Sequence, residues 1–175
     1  MSNAPSVYEV WKHCPRCGSD DTDHGENPFR CHSCDYRHHF TPISAVGGLL
    51  VDPQDRMLFI VRGKDPGKGK LGLPGGFVDP GERAEEALQR EICEETGFEI
   101  EQPEFLASFP NRYEYAGVVA DVTDLFFTVR CSTLSGGTPQ DGEVDEIQLR
   151  NPSSLRKDDL AFPTHWQALQ AYRSR

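Results

Sequence analysis

The sequence predicts an α/β or α+β sandwich that follows a short cysteine-rich segment, and three patterns lead to this division. Two amphipathic stretches, residues 82–96 and 164–172, have the apolar spacing of helices. Layers of strands and helices, each with one apolar face, pack into sandwiches. The N-terminal residues have neither pattern. Runs of β-branched and aromatic residues, typical of strands, occupy residues 43–51, 57–62, 104–108 and 122–131.

The N-terminal segment differs in composition from the remainder of the chain. It holds four of the six cysteines and five of the six histidines, with little aliphatic periodicity. A segment of this size cannot bury enough apolar surface to fold by hydrophobic burial alone. We therefore predict two domains, residues 1–42 and residues 43–175, which join near Phe40, Thr41 and Pro42.

The overall charge and hydropathy exclude some classes of partner. The chain has 18 basic and 28 acidic residues, which gives a formal net charge of −10. This balance repels the phosphates of DNA and RNA, so nucleic acid is a disfavoured partner. No apolar run is long enough to cross a bilayer, and residues 1–9 have no signal-peptide core. We expect a cytoplasmic protein with no membrane partner.

Two CxxC pairs in the first segment have the spacing of a metal site. Cys14 and Cys17 are followed, after thirteen residues, by Cys31 and Cys34. Each CxxC turn presents two thiolates, and four thiolates complete a tetrahedral Zn²⁺ site. A disulfide framework is the alternative, but it is typical of secreted proteins. The pattern favours a zinc ribbon that one structural Zn²⁺ stabilises.

An acidic helix is predicted where the chain is most densely charged. Pro80 and Gly81 break the chain before Glu82, and Gly97 can end the helix in a left-handed conformation. A step of about 100° per residue places Leu88 and Ile92 on the buried face.

The same helical step places Glu91 and Glu95 within this apolar stripe, with Glu94 at its edge. Unpaired carboxylates are costly there, because an ionised group loses its hydration when it is buried. A solvated acidic helix would account for Glu85 and Glu86 but not for Glu91 and Glu95. Hard oxygen ligands select Mg²⁺ or Mn²⁺, so we predict a divalent-metal site.

Residues 76–98 resemble the Nudix box. That pattern is glycine, five residues, glutamate, seven residues, arginine-glutamate, an aliphatic, any residue, two glutamates, any residue, glycine and an apolar residue. Every defined position is filled, by Gly76, Glu82, Arg90, Glu91, Ile92, Glu94, Glu95, Gly97 and Phe98. The resemblance extends over residues 43–175 and implies an α/β/α sandwich with a mixed sheet. It also implies metal-dependent hydrolysis of a diphosphate bond in a nucleoside diphosphate linked to another moiety.

The resemblance assigns roles to the residues of the box. Glu91 and Glu95 would bind the catalytic metal directly, together with the backbone carbonyl of Gly75. Glu94 would be a further ligand or would position the attacking water. Glu82 would act through water or support the loop, and Arg90 would orient a glutamate.

The family adds a carboxylate from a loop outside the box, as a ligand or a general base. Both Glu143 and Glu146 precede a short predicted strand, residues 147–150. Glu143 is the first choice because it follows a flexible loop, residues 135–142, and Glu146 is the second because it lies closer to the strand. A solvated loop charge is the alternative interpretation of either residue.

A zinc ribbon before a Nudix domain is similar to the NADH pyrophosphatases. Their Ser-Gln-Pro-Trp type substrate motif is only partly matched, because residues 108–113 keep a serine and a proline but lack the glutamine and tryptophan. Aromatic and cationic side chains of this region could contact a base and a phosphate, although the aromatic residues could equally be ordinary strand residues. The substrate-contact candidates are Phe109, Arg112, Tyr113 and Tyr115.

Three functions are compatible with these patterns. The first is hydrolysis of a small nucleotide such as ADP-ribose, NADH or a similar dinucleotide. The chain is also compatible with a homodimer. The second is RNA-end or cap processing, which the net acidity disfavours. The third is non-catalytic nucleotide binding, which the complete set of carboxylates disfavours. We expect Mg²⁺ or Mn²⁺ for catalysis and one structural Zn²⁺.

Overall fold

The computed structural model describes residues 4–175, so the first three residues of the predicted 1–42 domain lie outside the described residues. The chain divides into two compact units. The first contains residues 4–43 together with Arg112–Val122, and the second contains Ser44–Asn111 and Thr123–Arg175. The first unit therefore includes a second stretch of chain, residues 112–122, which the sequence-based boundary assigns to the second domain.

The first unit has little regular structure and a small aromatic core. It contains helix α1 (Val7–Val10) and a two-stranded antiparallel sheet of β1 (Phe29–Arg30) and β2 (Arg37–His38). Phe29 is fully buried beside Cys14 and Cys31, and the Trp11 ring packs edge-on against it, 5.8 Å away. Such a core buries only a few side chains, as the composition of the segment predicts.

The second unit is built on a six-stranded mixed sheet. Two long helices and two short 3-10 helices, Pro152–Ser154 and Lys157–Asp159, complete it. The strands are β3 (Ile43–Val51), β4 (Met57–Arg62), β5 (Leu71–Gly72), β6 (Glu104–Tyr115), β7 (Val118–Arg130) and β8 (Val144–Arg150), and the helices are α2 (Ala84–Thr96) and α3 (Pro163–Arg173). Their order in the sheet is β5-β4-β3-β7-β6, and β8 pairs with β4. Ile43 of β3 and the outer ends of β6 and β7, residues 112–115 and 118–122, belong to the first unit.

Alternation along the central strands separates two apolar layers. Leu50 of β3 lies in one cluster with Leu88 and Ile92 of α2. The adjacent residue Leu49 lies in another cluster with Leu169 of α3. Because successive strand residues face opposite sides of a sheet, α2 and α3 cover opposite faces. The predicted α/β/α sandwich is confirmed.

The helix boundaries follow the sequence signals closely, and Gly97 ends α2 as predicted. Its φ is +71°, in the left-handed region that favours glycine, and its N–H donates to Cys93 O at 2.9 Å. Strands β6 and β7 are longer than predicted, because their outer parts consist largely of half-buried and exposed residues and lack an apolar run. Ala116 and Gly117 join them with φ of +51° and +78°, as in a tight hairpin turn.

No helix among residues 4–175 combines the length and the apolar character needed to span a membrane.

Candidate active site and cysteine cluster

Helix α2 carries glutamates at three levels of exposure. Leu88 and Ile92 are fully buried, and Glu95 lies on the same side of the helix with only 6% of its surface exposed. Glu91 is half-buried and Glu94 is exposed. The periodicity therefore predicts correctly that a carboxylate of this helix is buried among apolar neighbours.

The segment before the helix lies against β3 and contacts Glu95. Gly48 N donates to Pro74 O, and Val46 N donates to Gly76 O, each at 2.8 Å. Gly75 N donates to Glu95 Oε2, also at 2.8 Å. Among the described residues no hydrogen bond reaches the Gly75 carbonyl, so that oxygen is available to a cation beside the Glu95 carboxylate.

Gly75 is required by the space as well as by the backbone conformation. Its φ is +144°, and a Cβ at this position would lie 2.1 Å from Val46 O. No side chain fits such a distance. The close contact of this backbone with β3 therefore depends on glycine.

Arg90 forms hydrogen bonds with three glutamates of the box, Glu82, Glu91 and Glu94. Its Nε and Nη2 donate to the two carboxylate oxygens of Glu82, each at 3.0 Å, and its Nη1 donates to Glu91 Oε1 at 2.8 Å. A weaker contact of 3.4 Å reaches Glu94. Glu86 does not pair with this arginine, since it accepts a hydrogen bond from Arg83 N. Arg90 is thus placed to orient Glu91.

Burial and neighbouring negative charges make ionisation of the Glu95 carboxyl unfavourable. Burial raises the pKa of Glu95 to about 8, and the nearby Glu91 and Glu143 carboxylates act in the same direction, against the Gly75 N–H and Arg62. Burial also raises the pKa of Glu91, although Arg90 opposes this. In contrast, Arg90 lowers the pKa of Glu82. Buried carboxylates that repel one another fit a divalent cation with oxygen ligands.

Glu143 and Glu146, the two candidate carboxylates outside the box, differ in their surroundings. Glu143 O accepts a hydrogen bond from Gly63 N at 2.8 Å, and its side chain forms an ion pair with Lys64. Its charge also acts on both Glu91 and Glu95. Glu146 lies inside β8, opposite Val61, and its exposed carboxylate accepts from Gln148. Strand β8 begins at Val144, three residues earlier than predicted, and so fixes the backbone of Glu146.

The substrate-contact candidates fall in different units. Phe109 is half-buried in the second unit, where its ring lies 6.2 Å from that of Phe126. Arg112, Tyr113 and Tyr115 belong to the first unit, and Tyr115 is 73% exposed. Substrate contact by these four residues stays a prediction.

Two further residues, Arg62 and His165, had no signal in the sequence. Arg62 ends β4, donates to Pro66 O at 2.8 Å, and exerts its charge on Glu95. His165, at the start of α3, accepts a hydrogen bond from Leu73 N. Neither belongs to a motif. A cation that follows a buried strand is the one pattern that could have indicated Arg62.

The four N-terminal cysteines form a compact cluster of free thiols. Their sulfur atoms all lie within 4.8 Å of one another, with 3.7 Å between Cys14 and Cys34 and 3.6 Å between Cys17 and Cys31. Four sulfurs at about 2.3 Å from one Zn²⁺ lie about 3.8 Å apart in a tetrahedron. Burial opposes ionisation of Cys14, but hydrogen bonds from the backbone of Cys17 and Arg16 bring its pKa down to about 7. A backbone hydrogen bond from Tyr36 favours ionisation of Cys34, but burial and the neighbouring thiols instead raise its pKa to about 12. This geometry suits tetrahedral thiolate ligation.

The carboxylate site is more open than the cysteine cluster. Within residues 4–175, the cysteines are the one group of three or more ligand-type side chains whose ligand atoms are all within 4.8 Å of one another. Arg90 holds Glu91 and Glu94 through its own hydrogen bonds. A metal ion would therefore have to draw these carboxylates together.

The fold belongs to a known family. Residues 41–172 match the model of the NUDIX domain. The chain belongs to the NUDIX family.

Several known proteins are similar to this chain. An ADP-ribose pyrophosphatase of Methanocaldococcus jannaschii is 48% identical over 62 residues, which are 35% of this chain and 36% of that protein. An NAD-capped RNA hydrolase, NudC, of Deinococcus radiodurans is 29% identical over 147 residues, 81% of this chain and 49% of that protein. The crystal structure of a NUDIX hydrolase from Nitrosomonas europaea superposes with a TM-score of 0.73 at 23% identity, covering 93% of this chain and 90% of that one. The matched regions thus span a third to a half of the two named relatives.

Proposed function

We propose that this protein is a metal-dependent hydrolase that cleaves the diphosphate bond of a nucleoside diphosphate linked to another moiety. The observation that carries the proposal is the pair of mutually repelling carboxylates, half-buried Glu91 and buried Glu95, together with the Gly75 carbonyl, which accepts no hydrogen bond from residues 4–175. A non-catalytic domain would have no reason to keep two carboxylates at positions where burial and mutual repulsion oppose their ionisation.

The residues divide the chemistry between them. Glu91, Glu95 and the Gly75 carbonyl would hold Mg²⁺ or Mn²⁺, with Glu94 at the exposed edge. The bound cation supplies charge neutralisation at the diphosphate and lowers the pKa of water. Arg90 keeps Glu91 oriented, and Glu82 anchors Arg90 through two hydrogen bonds. Glu143 would accept a proton from the attacking water or complete the ligand set.

The substrate class follows from the named relatives. One is an ADP-ribose pyrophosphatase and another an NAD-capped RNA hydrolase, and both names describe a nucleotide-derived substrate. We propose a small dinucleotide or nucleotide sugar such as ADP-ribose or NADH, because the net charge of −10 opposes a long polyanion. The second candidate is an NAD-capped RNA, which the similarity to NudC over 81% of this chain favours.

We further propose that Cys14, Cys17, Cys31 and Cys34 hold one structural Zn²⁺ that stabilises the first unit, since their sulfur separations fit a zinc tetrahedron. The cytoplasmic location expected from the sequence stays a prediction, as does the homodimer with which the sequence is compatible.

A substrate panel tests the proposal directly. ADP-ribose, NADH, NAD⁺, FAD, diadenosine polyphosphates and NAD-capped RNA would each be assayed with Mg²⁺ and with Mn²⁺. We expect metal-dependent release of two monophosphate products from a small dinucleotide or nucleotide sugar, and no activity after chelation. Preferential cleavage of the capped RNA would favour the second candidate. Nucleotide binding without turnover of any substrate would refute the hydrolase.

A further inference from the structure

A contact between the start of α3 and the segment Leu73–Gly76 links two parts of the chain far apart in sequence. Leu73 N donates to His165 Nδ1 at 3.2 Å, across 92 positions. A second hydrogen bond, from Ala161 N to Leu71 O at 2.8 Å, joins the same two stretches. Two hydrogen bonds therefore connect residues 161–165 with the chain that leads into the segment Leu73–Gly76.

The His165 ring is held by its aromatic neighbours. The Phe162 ring lies 5.1 Å away at 71°, and the Phe126 ring lies 5.8 Å away at 89°. Edge-to-face contacts of this kind fix the plane of a ring. Because Nδ1 accepts the Leu73 N–H, the neutral ring carries its proton on Nε2. Burial and the charge of Arg62 lower the pKa of His165 to about 3, which keeps the ring a neutral acceptor at ordinary pH.

The held peptide is close to Gly75 along the chain. Pro74 follows Leu73 directly and has a fixed φ, and Pro74 O is bonded to Gly48 N. Gly75 follows Pro74. Its N–H donates to Glu95, and its carbonyl oxygen is the proposed metal ligand. The hydrogen bond to His165 thus fixes one end of a short segment whose other end, Gly76, is bonded to Val46.

We infer that His165 is a positioning residue of the metal site, which keeps the Gly75 carbonyl in place by accepting the hydrogen bond from Leu73 N. The inference rests on the proposed metal site. It assigns His165 no contact with substrate or metal. Removing the acceptor would let the Leu73–Gly76 segment relax and would weaken metal binding before any substrate is present.

Two variants of similar size separate this role from simple packing. The substitution His165→Asn can keep an acceptor oxygen at the position of Nδ1, whereas His165→Leu removes the acceptor. Mn²⁺ is the probe, and its free concentration would be measured by electron paramagnetic resonance without substrate. We expect H165L to weaken Mn²⁺ binding about tenfold, the low end of the loss when a partner of a metal ligand is removed, because His165 bonds Leu73 and not Gly75 itself. We expect H165N to stay within about threefold of wild type. Both should lower the unfolding temperature to a similar extent, because both lose the ring.

Equal Mn²⁺ affinity of wild type, H165N and H165L, measured well below all three unfolding temperatures, would overturn the inference. Glu95→Gln serves as the control for the underlying site. If E95Q also left Mn²⁺ affinity unchanged, the metal site itself would be wrong, whereas a loss in E95Q without a loss in H165L would reject the role of His165 alone.

A measurement on the wild-type protein covers the case in which H165L does not fold. Hydrogen exchange should find the Leu73 amide protected, and the ¹⁵N shifts of His165 should indicate a proton on Nε2 between pH 5 and pH 8, a range above the pKa of about 3. Rapid exchange of the Leu73 amide, or a proton on Nδ1, would overturn the inference independently.

Discussion

Gly76 lies directly against the carboxylate of Glu91. A Cβ placed on Gly76 would come within 2.5 Å of both the carboxyl carbon and Oε1 of Glu91. The glycine of the box thus leaves room for a side chain of the adjacent helix. The position of the Glu91 carboxylate depends on a residue that contributes no side chain of its own.

The first prediction concerns Gly76→Ala. The added methyl group would displace the flexible end of Glu91 and leave the fold intact, so Mg²⁺ activation should weaken about tenfold or more with little loss of stability. Activity as a function of Mg²⁺ concentration measures this. Gly72→Ala is the matched control, because its Cβ would meet only ordinary contacts of 3.5 Å or more. Equal metal dependence of both variants would reject a role for this contact.

The second prediction concerns Glu95→Gln, which keeps the shape and removes a charge from the cluster. Turnover should fall by orders of magnitude while the fold is retained. Glu85→Gln is a suitable control on the same helix, since Glu85 forms an ion pair with Arg83 outside the site. Near-wild-type turnover of E95Q would refute the assignment of the site.

The third prediction follows from the raised pKa of Glu95, about 8 in the folded protein. Because the folded state binds its proton more tightly than the unfolded state, ionisation of Glu95 destabilises the fold. The free energy of unfolding of the metal-free protein should therefore fall as the pH rises from about 4.5 to about 8, and then level off. E95Q should lack this part of the decline. Chemical denaturation across this range in the presence of a chelator measures it, and identical profiles for the two proteins would contradict the prediction.

The fourth prediction is that purified protein contains close to one zinc per chain. Cys31→Ser removes a buried thiolate and should abolish zinc binding and the packing around Phe29, measured by elemental analysis and near-ultraviolet circular dichroism. Cys93→Ser, at an exposed position of α2, should keep the zinc. Absence of zinc from the wild-type protein, or two disulfides found by mass spectrometry, would end this hypothesis.

The fifth prediction compares Glu143→Gln with Glu146→Gln at saturating Mg²⁺. Glu143 acts on Glu91 and Glu95, whereas Glu146 is held in β8 and contacts Gln148. E143Q should lower kcat far more than it raises KM, since its interaction would be made mainly in the transition state, and E146Q should be mild. A large loss in E146Q with little change in E143Q would reverse the order.

The sequence by itself determined the features that depend on residues close together in the chain. Glu95 is recognisable because it falls on the apolar stripe of a helix whose period is fixed, and Gly97 because a helix end favours glycine. The spacing of the two CxxC pairs likewise predicts a cluster of four thiols without knowledge of the fold.

Only the tertiary structure decided which distant groups meet. The hydrogen bonds from Gly75 to Glu95 and from Leu73 to His165 join residues 20 and 92 positions apart, and no local pattern encodes them. The outer parts of β6 and β7 were also undetectable in the sequence, because they consist largely of half-buried and exposed residues and lack an apolar run. The different surroundings of Glu143 and Glu146 depend on the register of β8 against β4. Such relationships arise from long-range packing, which a linear pattern does not record.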